Sequence, residues 1–362
     1  MSTFNLDNIL SQFLIEGKVE SVKPLGNGLI NDTFRVVTEG DAPDYVLQRI
    51  NNNIFTDVDL LQHNIEAVTG HIRRKLEAAG ADDIDRKVLR FVPTQQGKTY
   101  YLDNEGRYWR VSVFIPDAVT YEQVDPTSSR NAGKAFGEFE SMLVDLPEQL
   151  GETIPDFHNM ELRARQLQEA IEQDKVGRVA GVADIIADLQ KDMHEMCKAE
   201  RLFREGKLPK RICHCDTKVN NMMYDKQGNV LCVIDLDTVM PSFVFSDYGD
   251  FLRTGANFVA EDDPKIENVG FNQDIFRAFT EGYIESARSF LTPVEVENLP
   301  YAVALFPFMQ CVRFFADYLN GDTYYKIAYP EHNLVRTRNQ QALYHRVTDN
   351  YDMMDNFIRT LI

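Results

Sequence analysis

Apolar and polar residues alternate along Thr33-Phe34-Arg35-Val36-Val37 and again along Tyr45-Val46-Leu47-Gln48-Arg49-Ile50. Successive side chains on a strand point to opposite faces, so both segments predict half-buried strands, with Val19–Pro24 as another before them. The period then lengthens. Leu61, Ile65, Val68, Ile72 and Leu76 fall on one stripe at helical spacing, which predicts an amphipathic helix. Segments 98–102 and 107–115 predict a hairpin across Asp103-Asn104-Glu105-Gly106, residues suited to a turn. Pro116-Asp117 breaks the second strand. Helical periodicity takes over at 128–146, 160–174 and 185–205, yields to a hairpin over 222–235, and returns from 273 to the end. The pattern predicts an α+β chain in two lobes: a β-rich lobe over 1–115, a hinge near 116, and a larger helical lobe over 116–362. Repeats and low-complexity tracts are absent.

Composition narrows the partners. The 362 residues are 44% hydrophobic and 26% charged, with a formal net charge of −18. Such an acidic chain lacks the cationic face that nucleic acid or an anionic membrane requires. Five cysteines (Cys197, Cys213, Cys215, Cys232, Cys311) form no disulfide framework and suit a reducing compartment. Cys213-His214-Cys215 invites a zinc reading, but successive residues on a strand point to opposite faces, and no second ligand pair stands nearby. The N-terminus lacks a signal-peptide profile. The apolar run 301–312 is shorter than a bilayer requires and contains Pro307. A cytoplasmic protein is expected; the oligomeric state is not legible.

The chemistry concentrates in His214-Cys215-Asp216-Thr217-Lys218-Val219-Asn220-Asn221, followed by Val233-Ile234-Asp235-Leu236-Asp237. Phosphoryl transfer needs a base to align the attacking hydroxyl, a cation on the migrating group, and hard oxygen ligands for Mg²⁺. Asp216 fits the base, Lys218 the cation, and Asn221 and Asp235 the metal ligands. The bland alternatives are a turn aspartate and an exposed lysine. The order H-x-D-x-K-x-x-N and then D is that of the kinase catalytic loop and its metal-binding aspartate. Asp237, two residues further on the same side of an extended segment, is expected at the second metal shell or the substrate. His214 is expected to brace the loop, and Asp247 to bond its backbone. Gly26-Asn27-Gly28 lies between two predicted strands, where a loop covering nucleotide phosphates belongs; Asn31 and Thr33 just beyond it are candidate phosphate donors. Two glycines alone more often mean a turn.

These motifs resemble the aminoglycoside phosphotransferase and choline kinase superfamily, which has a protein-kinase-like fold. Within it, the segments 26–31, 45–49, 214–221, 234–241 and 329–338 resemble the bacterial N-acetylhexosamine 1-kinases over nearly the whole chain. The resemblance implies ATP- and Mg²⁺-dependent phosphorylation of the anomeric hydroxyl of N-acetylgalactosamine or N-acetylglucosamine. It implies nucleotide contacts at Gly26, Gly28, Asn31, Thr33, Val46 and Gln48 and at the hinge residues Phe114 and Ile115. It carries the catalytic aspartate onto Asp216, the metal ligands onto Asn221 and Asp235, and the sugar-contacting arginine and tyrosine onto Arg313 and Tyr324. The bland alternative for Arg313 is a helix-surface pair with Asp317. Protein kinases carry a phosphate-binding lysine on the third strand; here the in-facing residue is Gln48. The cation of this lobe is therefore unassigned by sequence, and Glu66, the natural partner of such a lysine, is left without a role.

Overall fold

The computed structural model describes residues 4–26 and 30–362, so the expectation for Gly28 lies outside the described residues. Two compact units emerge: one drawn from Met1–Val119, Asp145–Pro155 and Met223–Val239, the other from Thr120–Val144, Asp156–Met222 and Met240–Ile362. The first unit's opening run ends four residues past the expected 1–115 lobe and takes in two later segments, so its boundaries are set by packing rather than by chain order.

The first unit is built on an antiparallel sheet of β1 (Val19–Pro24), β2 (Asp32–Thr38), β3 (Tyr45–Ile50), β4 (Tyr101–Leu102) and β5 (Tyr108–Val113), in the order β1-β2-β3-β5-β4. Its apolar face carries Val36, Tyr45, Leu47, Trp109 and Val111, packed with Ile9, Leu10 and Phe13 from the N-terminal segment. Burial of these side chains drives the unit together. The hairpin between β4 and β5 is fastened by Asp103, whose carboxylate accepts from Arg107 Nε at 2.7 Å and from Trp109 Nε1 at 2.9 Å. Burial pushes the pKa of that carboxyl up, but these donors outweigh it and hold the pKa down at about 2.

The opposite face mixes Val46 and the buried Ile50 with a polar row. Register pairs Thr33 with Gln48 and Gln48 with Arg110, forming a row across three strands. The helix Val58–Ala78 begins on an Asp57 N-cap and buries Leu61, Ile65, Val68 and Ile72 as its periodicity predicts, while Leu76 is only half-buried.

The second unit is helical. Pro126–Leu143 starts on a capping box at Asp125, and it approaches Gln273–Ala287 backbone to backbone. Gly133 and Gly282 make this possible: a Cβ on Gly133 would fall into the Phe279 carbonyl, and one on Gly282 into the Arg130 carbonyl. The helix expected over 185–205 is two, Ala183–Met196 and Lys198–Arg204, parted at Cys197. A helix over Phe245–Gly255 went unpredicted although Phe245, Tyr248, Phe251 and Leu252 stand at helical spacing; Asp247, Asp250 and Arg253 between them are buried as well.

Leu299–Leu319 corrects a second expectation. The apolar run belongs to a 21-residue helix that is long and apolar enough to cross a membrane, yet 89% of its most apolar window is buried within this chain. Packing against the helices Phe245–Gly255 and His332–Thr348 accounts for its composition.

Candidate active site

In the helical unit, the strand Arg211–Cys213 pairs with Met240–Ser242 and delivers the chain into the loop 214–221. Asp247, fully buried on the helix Phe245–Gly255, holds that loop by its backbone. Its Oδ2 accepts the His214 N–H at 2.8 Å, its Oδ1 accepts the Cys215 N–H at 2.7 Å, and its own carbonyl accepts the Thr217 hydroxyl at 2.7 Å. Cys215 sits at φ +64°, a left-handed conformation that a side chain resists by about 1–2 kcal/mol. The clamp over-determines that turn. His214 is buried with its ring edge-on to Phe136 and Phe139, and its Nδ1 accepts the Asp216 N–H at 3.2 Å. Both His214 and Asp247 brace the loop, as the sequence indicated.

The turn leaves Asp216 about one-fifth exposed, with Lys218 Nζ 2.9 Å from its Oδ1. Burial pushes the Asp216 carboxyl up, but the Lys218 charge and hydrogen bond outweigh it, so the pKa lies below the ordinary carboxylate value. Burial lowers the Lys218 ammonium, but Asp216 and then Asp250 prevail and hold it above its ordinary value. The loop thus carries an ionised carboxylate beside a protonated amine. Asn221 closes it: its Nδ2 donates to the Asp216 carbonyl at 2.8 Å and to Asp216 Oδ2 at 3.2 Å. With the nitrogen so committed, the amide oxygen is the end left for a hard cation, as Mg²⁺ requires.

Behind the loop lies Glu140, 2% exposed, which accepts the Tyr283 hydroxyl at 2.5 Å. Glu140, Cys213 and Asp247 bring ligand-type atoms within 4.8 Å of one another. Burial first, and the charge of Asp247 next, push both the Glu140 carboxyl and the Cys213 thiol well up, toward the protonated forms that bind metal poorly. Beside the loop, Asp250 meets Arg253 at 3.1 Å, and Arg253 meets Glu261 at 2.6 Å. Sequence reading singled out none of these last three, because their proximity is tertiary.

Elsewhere in the same unit, Arg313 does not pair with Asp317. Its Nη1 donates to Gln310 Oε1 at 3.0 Å, and its guanidinium lies 5.3 Å from the Phe157 ring centre and 5.8 Å from that of Tyr325. Asp317 is engaged by the backbone instead. Its carboxylate accepts the successive N–H groups of Thr323, Tyr324 and Tyr325 at 2.9, 2.8 and 3.0 Å. Tyr324, 65% exposed, meets Tyr325 edge to face at 4.8 Å. The fold therefore gathers Arg313, Tyr324, Tyr325 and Phe157 in one neighbourhood.

In the β unit, Asp235 follows the hairpin strand Val230–Val233 in a left-handed conformation, φ +59° and ψ +58°, with its side chain exposed. Asp237 lies deeper than Asp235. It is 3% exposed and faces Arg110, whose Nη1 lies 2.5 Å from its Oδ1, close for an ion pair though off the hydrogen-bond line. Its Oδ2 accepts Asn31 Nδ2 at 2.7 Å. Its carboxylate is thus engaged inside the unit, a placement compatible with the expected second metal shell and away from direct contact with substrate. Asn31 is held in the same network, with Nδ2 on Asp237 and Oδ1 accepting the Asn51 N–H at 2.9 Å, so its amide braces the turn.

Arg110 is the residue sequence missed. Its Nε donates to Gln48 Oε1 at 2.9 Å and its Nη1 to Gln62 Oε1 at 3.3 Å, while Gln48 Nε2 donates to Thr33 Oγ1 at 3.3 Å. The buried cation of this unit therefore stands on β5, not β3. The sole sequence signal was a lone arginine between Trp109 and Val111 on an otherwise apolar strand. Glu66 is exposed and accepts from the Thr99 hydroxyl instead of a cation. Gly26 takes φ +70° with open space around its Cα. Val46 lies mid-strand on β3, half-buried; Phe114 carries the Arg35 guanidinium 4.2 Å above its ring, and Ile115 is buried.

The fold has known relatives. An aminoglycoside phosphotransferase from Alicyclobacillus acidocaldarius is 12% identical and superposes with a TM-score of 0.63, covering 98% of each chain. A spectinomycin phosphotransferase solved with ADP and spectinomycin is 13% identical, with a TM-score of 0.55 over 98% of this chain and 99% of that one. An ethanolamine kinase from Plasmodium vivax is 13% identical, with a TM-score of 0.52 over 89% of this chain and 82% of its own. Identities this low speak to architecture alone, and the architecture is kinase-like. The sequence profile of the phosphotransferase enzyme family matches residues 21–283, a span that includes the clamped loop and both Asp235 and Asp237. The chain belongs to the phosphotransferase enzyme family.

Proposed function

We propose that this phosphotransferase uses ATP and Mg²⁺ to phosphorylate the anomeric hydroxyl of N-acetylgalactosamine or N-acetylglucosamine, forming the sugar 1-phosphate. The observation that carries the reading is the loop 214–221, where an ionised Asp216 lies 2.9 Å from a protonated Lys218 on a backbone clamped by Asp247. The acceptor oxygen bonds to the γ-phosphorus as the bond to the ADP oxygen breaks, and the hydroxyl proton passes to Asp216. Because the transition state is loose, Asp216 acts chiefly by aligning the oxygen, and a low pKa suits that role. Lys218 offsets charge on the migrating group as a point cation.

Asn221 and Asp235 are the proposed Mg²⁺ ligands. When bound, the ion neutralises charge on the nucleotide phosphate oxygens. A nucleotide donor is supported by two relatives, the spectinomycin enzyme solved with ADP and an aminoglycoside 2′-phosphotransferase solved with GDP. Gly26, Gly28, Thr33, Val46, Gln48, Phe114 and Ile115 are assigned to that donor. Arg313 and Tyr324 are assigned to the sugar. The Arg313 guanidinium has no carboxylate partner among the described residues. A cation so placed repels choline and polyamine-like antibiotics and suits a neutral, oxygen-rich acceptor. The cytoplasm is the proposed compartment, in keeping with five unpaired cysteines.

A second reading keeps the chemistry and changes the acceptor to an aminoglycoside, because related folds carry that activity. An acceptor panel with ATP and Mg²⁺ decides, read by ³¹P NMR of the products. The expected outcome is an anomeric phosphate from an N-acetylhexosamine and no product from choline, ethanolamine or kanamycin. Absence of turnover on every N-acetylhexosamine would defeat the sugar reading.

A further inference from the structure

Asp235 takes a left-handed backbone conformation, which aspartate adopts more readily than most side chains, and the turn around it is held from several sides. At φ +59° and ψ +58° it is left-handed, and the 3-10 turn Leu236–Thr238 starts directly from it. Four groups of the same unit grip Asp237 and Val239, two of the three residues that follow Leu236. Arg110 and Asn31 hold the Asp237 carboxylate at 2.5 and 2.7 Å. The Thr153 hydroxyl donates to the Asp237 carbonyl at 2.9 Å, and Asn64 Nδ2 donates to the Val239 carbonyl at 2.9 Å. The last three donors are neutral. Arg110 alone brings a positive charge, and it is itself fixed by Gln48 and Gln62 on either side. A planar fork with three such partners has one orientation, so the turn has one too.

We infer that Arg110 is a positioning residue for the metal-binding carboxylate: its buried pair with Asp237 sets the turn that presents Asp235. The inference rests on the proposed role of Asp235. It also gives a role to the cation that sequence could not place. In protein kinases a strand lysine serves the nucleotide phosphates directly. Here the buried cation serves the metal ligand instead, through a carboxylate two residues away. Groups that orient a ligand without touching the metal commonly alter metal affinity by about 10–100-fold when removed.

The test is Mn²⁺ binding to the full chain with ADP present, titrated by electron paramagnetic resonance, which needs no turnover. Asp235→Asn serves as the reference for the metal role. Arg110→Met is expected to weaken Mn²⁺ by about tenfold or more, with thermal unfolding and far-UV circular dichroism confirming a folded chain. The acceptor KM is expected to stay within about twofold, because loss of general packing would move both quantities and a displaced metal ligand moves the first. Should Arg110→Met fail to fold, Arg110→Lys and Thr153→Val probe the same turn with milder change. Lysine keeps the charge without the fork, and valine removes only the hydroxyl that holds the Asp237 carbonyl; each is expected to weaken Mn²⁺ by about fivefold, the worth of one hydrogen bond. Wild-type Mn²⁺ affinity in the folded Arg110 variants, alongside a weakened Asp235→Asn, overturns the inference and leaves the metal reading intact. Wild-type affinity in Asp235→Asn itself overturns the metal reading.

Discussion

Two turns in this molecule solve one problem by different means. Each contains a non-glycine residue in left-handed backbone, Cys215 at φ +64° and Asp235 at φ +59°, and each is secured by a buried aspartate close by. Asp247 secures the first through main-chain N–H groups, with both oxygens spent on the loop itself. Asp237 secures the second through side chains, Arg110 and Asn31. A backbone clamp depends on one side chain only and tolerates sequence change in the loop it holds. A charge clamp depends on both partners, since removing either strands the other in a low-dielectric interior. The first design fixes where the loop runs; the second also fixes which residue stands on a neighbouring strand.

The largest expected effect separates chemistry from clamping. Asp216→Asn keeps the size of the side chain and the clamp on its loop, and is expected to lower kcat by about 10²–10⁴-fold while nucleotide affinity, read by calorimetry, stays near wild type. Unaltered turnover would remove Asp216 from the mechanism. Asp247→Ala tests the backbone clamp. It leaves two buried N–H groups without acceptors at about 1–3 kcal/mol each, so unfolding in urea is expected to show a loss of about 2–6 kcal/mol. A loss below about 1 kcal/mol would mean that the loop is held by other contacts. The smallest expected effect concerns Asp103, the fastener of the β4–β5 hairpin, whose pKa is held down at about 2 against an ordinary 3.8. Between those values the unfolded chain binds the extra proton, so this contribution is complete above about pH 4 and fades as pH falls toward 2. The interval corresponds to about 2 kcal/mol, and Asp103→Asn is expected to cost about that much at pH 7 and little at pH 2, by urea unfolding at each pH. It sharpens the comparison by showing a carboxylate that serves stability with no strained turn to hold.

What could be read from sequence alone follows from the range of the interactions. β3 was legible to the residue, because alternation is local and each face meets one environment. The loop 214–221 was legible because its groups act within eight residues, and so was the bracing role of His214 and Asp247. The helix Phe245–Gly255 was passed over although Phe245, Tyr248, Phe251 and Leu252 keep the helical period across its 11 residues. The buried network around Asp237 and Asn31 was not legible for a different reason. Both are polar residues beside motif residues. Spacing alone does not tell a side chain that meets ligand from one that meets an arginine 127 positions earlier, as Asp237 does. Arg110 itself became visible only once strand register placed it beside Gln48.

The Asp317 carboxylate has a consequence for changing what this enzyme accepts. By fixing three consecutive amides at 323–325, it defines the course of the tyrosine-bearing segment without using any of that segment's aromatic rings. The exposed Tyr324 ring is therefore a variable part on a fixed mount, whereas Tyr325 packs on Phe314 and accepts from Gln310. On the proposed sugar role of Tyr324, libraries that vary position 324 while leaving Asp317 untouched are expected to shift acceptor selectivity without rebuilding the chain path beneath.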